Sequence, residues 1–243
     1  MVIVTGGSQG VGLGIARAFL AQGARVVTCA RTAFDAPPAA TSDDELARAR
    51  HVVTDVRDPE QVQRLVDTTV EAFGRLDVLV NNAGGQPPAD IATVSPRFIK
   101  AIIELNLTAP IVAAQAANRV MQEQDSGGLI INISSQASMP TGSATLAPYG
   151  AAKAGLNHVT RSLASAWGPK VRVNCVSLGW VETEAMAELL LPANREEWES
   201  TVSRIPVRRM ATGDEIGRIC TFLASPEASY INGATIAADG GGT

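Results

Sequence analysis

Short runs of β-branched and other apolar residues recur along the chain, each followed by a stretch in which apolar positions return every three or four residues. The runs fall at 2–5, 25–29, 52–56, 77–80, 129–134 and 171–176. Helical periodicity occupies 11–22, 59–73, a long stretch after Pro96 and the segment around Tyr149. The runs are continuously apolar rather than alternating, which suits strands covered on both faces. Strand-helix alternation with short connections therefore predicts an α/β fold, a doubly wound parallel sheet with helices on both faces. Local punctuation agrees. Asp58-Pro59 supplies an N-cap and a first-turn proline for the 59–73 helix, and Gly74 stands where a C-terminal cap belongs.

No composition shift, repeat or low-complexity tract divides the chain, so residues 1–243 read as a single domain. Residues 33–42, with Pro37-Pro38, and 142–148 are short enough to be surface loops. Residues 180–210 are irregular and rich in Glu, Ala and Leu. They follow the last apolar run and are expected to form a lid over the carboxyl edge of the sheet.

Hydrophobic residues make up 46% of the chain and charged ones 18%, a balance that supports a packed core and argues against disorder. With a net charge of −4 and Arg208-Arg209 as the sole adjacent basic pair, the chain shows no electrostatic footprint for a nucleic acid or an anionic membrane. No uninterrupted apolar run approaches a membrane span and the start lacks a charged leader pattern, so a cytoplasmic protein is expected. Cys29, Cys175 and Cys220 form neither a CxxC nor an even framework and read as buried thiols. His51 and His158 lack metal-ligand spacing, and no metal is implied.

The chain has two tyrosines and three lysines, yet Tyr149 stands four residues before Lys153. Chance places such a pair about 0.02 times in a chain of this make-up. On a helix, residues i and i+4 share a face, so a phenol and an ammonium would lie side by side. At about 5 Å and an effective dielectric of about 20 the attraction is roughly 3 kcal/mol, enough to lower a phenol by about two pKa units toward the range a general base needs.

The first apolar run passes directly into Thr5-Gly6-Gly7-Ser8-Gln9-Gly10-Val11-Gly12, and a helix follows. Glycines there permit a sharp turn and bring backbone N–H groups and the positive end of the helix dipole against a pyrophosphate. A tight strand-to-helix turn without a ligand is the plainer alternative. Asn81-Asn-Ala-Gly84 after the 77–80 run likewise reads either as a site segment or as an Asx-rich turn.

Thr5-Gly-x-x-x-Gly-x-Gly12, Asn81-Asn-Ala-Gly84, Asn106, Ser135 and Tyr149-x-x-x-Lys153 occur in the order and approximate spacing of the short-chain dehydrogenase/reductase superfamily. The chain resembles that family over nearly its whole length, down to Asp239-Gly240-Gly241. The resemblance implies a Rossmann-type fold and an oxidoreductase that passes a hydride between a nicotinamide nucleotide and a ketone or secondary alcohol. Tyr149 would exchange a proton with the substrate oxygen, and Lys153 would lower the tyrosine's pKa and bind the nicotinamide ribose. Ser135, rather than its neighbour Ser134, would hold the substrate oxygen, and Asn106 would anchor a water leading from Lys153 to solvent. By the same resemblance Gly6, Ser8, Gln9, Gly10, Val11 and Gly12 would cradle the cofactor, and Asp55 with Val56 would meet the adenine. Asn82, Ala83 and Gly84 would line the ribose and nicotinamide, and Val181 and Thr183 the carboxamide and phosphates. The interval from Ser135 to Tyr149 is slightly long for the family, and Ser177-Leu178-Gly179 replaces its usual Pro-Gly.

Cofactor choice should be written after the second strand, where Cys29-Ala30-Arg31-Thr32 offers no acid and one arginine. That favours NADP over NAD through a charge-assisted contact from Arg31 to a 2′-phosphate, although Gln9 stands where many NADP-binding relatives carry a second basic residue. The apolar residues Met139, Leu146, Trp180, Met186, Leu189 and Leu190, with Arg195, Arg204, Arg208 and Arg209 nearby, suggest a medium-sized, fairly apolar substrate. Family likeness implies a homotetramer, with a homodimer as the smaller option. Two other readings stay open: a nucleotide-binding regulator without turnover, and a methyltransferase with a glycine-rich first loop.

Overall fold

The structure, a computed structural model, describes residues 1–139, 144–184 and 195–242. In chain order it contains β1 (Val2–Thr5), α1 (Gly10–Ala21), β2 (Val26–Ala30), α2 (Asp43–Arg48), β3 (Ala49–Val53), α3 (Pro59–Phe73), β4 (Val78–Asn81) and α4 (Pro96–Ile103). A π turn (Glu104–Thr108) leads into α5 (Ala109–Glu123), and then come β5 (Gly128–Ser135), α6 (Ala147–Trp167), β6 (Val171–Leu178), α7 (Arg195–Arg204), α8 (Gly213–Ala224) and β7 (Thr235–Ala238).

The seven strands form one all-parallel sheet in the order β3-β2-β1-β4-β5-β6-β7. Strand side chains alternate between two apolar layers, as the pleat requires. Val2, Val4, Val80, Ile131 and Val176 pack with Ile15, Phe19 and Leu20 of α1 and Ile216 and Leu223 of α8. Ile3, Leu79, Ile130 and Val173 pack on the opposite face with Leu65 and Val66 of α3 and Ala113, Ala117 and Met121 of α5. The order reverses between β1 and β4, and in open parallel sheets the crevice at the carboxyl ends of two such strands is where ligands bind.

Helix α3 ends as its residues predict: Asp58 accepts from the N–H groups of Glu60 and Gln61, and Gly74 closes the helix at φ +78°. Three differences from the sequence reading have physical causes. The third strand runs over Ala49–Val53, not 52–56, because the ladder to β2 is set by pairs such as Thr28 with His51 and not by the most apolar stretch. Helix α8 and strand β7 follow the segment read as the end of the sheet. Thr212 and Glu215 make a reciprocal capping box at the start of α8, a signal present in the chain, whereas Thr-Ile-Ala-Ala of β7 is too short and alanine-rich to stand out. The continuous helical stretch Pro96–Glu123 is long and apolar enough to cross a membrane by length and composition. Here Ala113, Ala114, Ala117 and Met121 pack in the core layer, and a third of the apolar window is buried.

Candidate active site

The turn from β1 into α1 is built for close backbone approach. Gly6 and Gly10 adopt φ of +63° and +52°, and a Cβ on Gly12 would lie 2.2 Å from the Gly6 carbonyl oxygen and 2.4 Å from Asn82 Nδ2. The Asn82 amide donates to the carbonyls of Thr5 (2.9 Å) and Gly6 (3.2 Å). The Thr5 hydroxyl accepts from the N–H groups of Asn82 and Ala83, both at 3.0 Å. The turns after β1 and β4 are thus one hydrogen-bonded unit across the switch point. Gln9 makes no side-chain cap, and the first turn of α1 holds no acid, so its N–H groups and dipole remain available to an anion. Thr183 stands over this turn: a Cβ on Gly10 would lie 3.3 Å from its Cγ2. Val181 is buried and bridged to Ala211. The turn thus leaves no room for side chains and keeps the start of α1 without a side-chain cap or an acid, an arrangement that fits the pyrophosphate of a dinucleotide.

At the neighbouring carboxyl ends, strand alternation separates the two serines of β5. Ser134 points inward and donates to the Lys153 carbonyl at 3.3 Å, while Ser135 accepts from the Ala137 N–H and hydrogen-bonds the Tyr149 side chain. Lys153 is buried on α6. Its Nζ donates to the Ile133 carbonyl at 2.7 Å and lies 5.5 Å from the Tyr149 ring centroid. A Cβ on Gly84 would lie 3.3 Å from that Nζ, which places the ammonium beside the segment after β4. Ser135, Tyr149 and Lys153 therefore form one cluster, with the ammonium beside Gly84.

Burial decides the electrostatics. It pushes the Lys153 ammonium down to about 8, with a smaller opposing influence from Cys175. It raises the Tyr149 phenol above its ordinary value, against the hydrogen bond from Ser135. The phenol is raised because desolvation of the phenolate outweighs the Ser135 hydrogen bond. The Cys175 thiol is likewise pushed up to about 11 by burial.

Asn106 lies in the π turn. Pro110 has no N–H for the carbonyl four residues back, that of Asn106, so the regular helix gives way there. The Asn106 amide donates to the carbonyls of Gly85 (3.0 Å) and Ile102 (2.9 Å), and its Oδ1 accepts from the Gly85 N–H at 2.8 Å. These contacts hold the Gly84-Gly85 segment.

Asp55 lies two residues beyond β3, not at its end, and both its oxygens are taken by Arg57, at 3.0 and 2.6 Å. Val56 packs on the core. The Asp55 carboxyl is held below its ordinary range chiefly by Arg57, with a smaller pull from Arg31, which places Arg31 at the same corner. His51 bridges Thr32 (2.9 Å) and Thr28 (3.0 Å) and is structural. Leu178, where family relatives carry proline, pairs in register with Ala238, and the Gly179 N–H donates to the Ala238 carbonyl.

A cleft of about 370 Å3 opens beside the Tyr149 end of α6, lined by Pro88, Ala89, Asp90, Ile91, Ala144 and Thr145. The loop after β4 that forms one wall was not singled out in the sequence, since its Gly85-Gln86-Pro87-Pro88 chemistry reads as an ordinary connection. Of the expected pocket residues, Met139 is exposed, and Trp180 packs with Trp198, Val202, Ile205 and Met210 in a small separate cluster. Arg204 contacts Thr201, Arg208 donates to the Ser203 carbonyl, and Arg209 pairs with Glu215 of α8 at 2.6 Å, so these cations are engaged by neighbouring protein groups. Met186, Leu189 and Leu190 lie outside the described residues, as does the Arg195 side chain. Among the described residues no His/Cys/Asp/Glu group could hold a metal.

Residues 6–243 match a family profile described as Enoyl-(Acyl carrier protein) reductase. The chain is 37% identical over 246 residues to an L-rhamnose 1-dehydrogenase (NAD(P)(+)) of Azotobacter vinelandii, covering 99% of this chain and 95% of the relative. The chain belongs to the short-chain dehydrogenase/reductase family. A second family member, the galactitol 2-dehydrogenase of Agrobacterium fabrum, is 33% identical over 251 residues, with 99% and 96% covered. The crystal structure of a short chain dehydrogenase from Bacillus anthracis superposes with a TM-score of 0.84 at 31% identity, covering 99% of this chain and 95% of that one. As a short-chain dehydrogenase/reductase the protein is an oxidoreductase of alcohol and carbonyl groups that uses a nicotinamide nucleotide. Family membership also sets aside the methyltransferase reading.

Proposed function

We propose that the protein interconverts a medium-sized ketone and the corresponding secondary alcohol, with Tyr149, Lys153, Ser135 and Asn106 as its working residues and NADP(H) as its preferred nucleotide. The observation that carries this is the cluster of the Ser135 hydroxyl, the Tyr149 phenol and the Lys153 ammonium, the last beside Gly84 and next to the glycine turn. When bound, the nicotinamide supplies or accepts the hydride. Gly6, Ser8, Gln9, Gly10, Val11, Gly12 and Thr183 would hold its phosphates, Asn82, Ala83, Gly84 and Val181 the nicotinamide side, and Asp55 and Val56 the adenine end.

A neutral phenol, favoured here by burial, is the state that donates a proton to an oxygen becoming an alkoxide, while Ser135 fixes that oxygen with a second hydrogen bond. In the oxidative direction the phenol must first lose its proton, and release of Lys153 from the Ile133 carbonyl toward the phenol would favour this. NADP preference rests on Arg31 at the corner after β2, with no acid there to accept ribose hydroxyls. Named relatives act on sugars and polyols, so the substrate panel should include both these and apolar cyclic ketones.

The test is steady-state turnover with NADPH and NADH, for wild type and Tyr149→Phe. Wild type should show the higher kcat/KM with NADPH, and the phenylalanine variant should lose about 10²-fold or more in kcat while binding the nucleotide within two-fold. Undiminished turnover in Tyr149→Phe overturns the acid–base assignment, and a preference for NADH overturns the cofactor assignment. A homotetramer is proposed for the assembly, and sedimentation at a dimer mass would overturn it.

A further inference from the structure

The helix that carries Tyr149 and Lys153 begins without a cap of its own. Leu146 precedes α6 and makes no side-chain cap, and Pro148 in the first turn has no N–H. The Tyr149 N–H is therefore an orphan donor of the helix start, at the residue whose phenol must be placed. It is satisfied from outside the helix, by Gln86 Oε1 at 3.1 Å, across 63 residues of chain. The other end of the same amide donates to the Thr145 carbonyl at 2.9 Å, and the Ala89 N–H shares that carbonyl at 3.1 Å. Gln86 follows Gly85, which Asn106 grips through both its N–H and its carbonyl. One side chain thus ties the Lys153 side of the site to the backbone of Tyr149. It also stitches together the two segments, 88–91 and 144–145, that wall the cleft.

We propose that Gln86 is a positioning residue that caps α6 in trans and sets the Tyr149 phenol against Ser135; this rests on the reading of Tyr149 as the proton-exchanging group. Both amide atoms are used. Gln86→Leu removes both contacts, whereas Gln86→Glu keeps the acceptor for the Tyr149 N–H and loses the donor to Thr145.

The experiment compares wild type, Gln86→Leu, Gln86→Glu and Tyr149→Phe by amide hydrogen exchange over residues 144–152 and by kcat and KM. In Gln86→Leu the Tyr149 amide should exchange at least about ten-fold faster, because its hydrogen-bond partner is gone. Its kcat should fall about ten- to a hundred-fold, as expected for a displaced reacting group, with nucleotide affinity within two-fold of wild type. Gln86→Glu should retain the protection of the Tyr149 amide. Its kcat should recover to well above that of Gln86→Leu, because the Tyr149 N–H keeps its acceptor, a rescue that follows the backbone contact rather than general stability. Unchanged exchange in Gln86→Leu, or a kcat within two-fold of wild type while Tyr149→Phe is inactive, overturns the proposal and leaves the acid–base reading standing. A fully active Tyr149→Phe overturns both.

Discussion

Replacing Lys153 with methionine should stabilise the protein while removing its activity. The side chain is buried, and burial brings its folded-state pKa from 10.5 to about 8. Each pKa unit corresponds to about 1.4 kcal/mol, so keeping the proton on Lys153 below pH 8 costs the folded state about 3 kcal/mol relative to the unfolded chain. Methionine has similar length and no charge, but it leaves the Ile133 carbonyl without the donor now 2.7 Å away, a loss of about 1 kcal/mol. The net expectation at pH 7 is a gain of about 2 kcal/mol, or a rise of roughly 4–8 °C in Tm for a chain of this size.

The sign of the pH dependence follows from the direction of the shift. Between about 8 and 10.5 the unfolded chain still binds the lysine proton and the folded protein has released it. Wild-type stability therefore gains from Lys153 as pH rises through that window, and the advantage of Lys153→Met shrinks and then vanishes. Urea unfolding of both proteins at pH 7 and pH 10, at one protein concentration, measures this difference. Other titrating groups are common to the pair and cancel. A variant less stable than wild type at pH 7, or two curves that stay parallel across the window, would refute the reasoning.

Gly12→Ala should weaken nucleotide binding by about 10²-fold, because its Cβ would stand 2.2 Å from the Gly6 carbonyl oxygen and displace the turn that Asn82 holds; calorimetric titration with NADPH measures it, and an unchanged Kd would show that the turn does not contact the nucleotide. Alkaline pH should destabilise the protein through its thiols, since burial pushes Cys29 and Cys220 up to about 12 each. Above about pH 9 only the unfolded chain ionises there, at about 1.4 kcal/mol per pH unit per thiol, so Cys220→Ala should lose less stability between pH 8 and 10 than wild type in the same urea experiment.

Several features were legible in the order of residues because they depend on local or repetitive physics. Apolar runs alternating with helical periodicity specify doubly covered parallel strands, Asp58 and Gly74 mark the two ends of α3, and glycines after β1 announce a turn that tolerates no side chains. The pairing of Tyr149 with Lys153 on one helix was equally plain, since spacing alone puts i and i+4 together. Tertiary packing decided the rest. Burial, which depends on what covers a residue, turned the expected depression of the Tyr149 phenol into an elevation and drew the Lys153 ammonium to the Ile133 carbonyl. Neighbouring strands set the register that moved β3 and admitted the weakly apolar β7. Gln86 reaches Tyr149 across 63 residues of chain, a contact that no local pattern encodes, because it exists only once the β4 loop and the start of α6 have been brought to the same edge of the sheet.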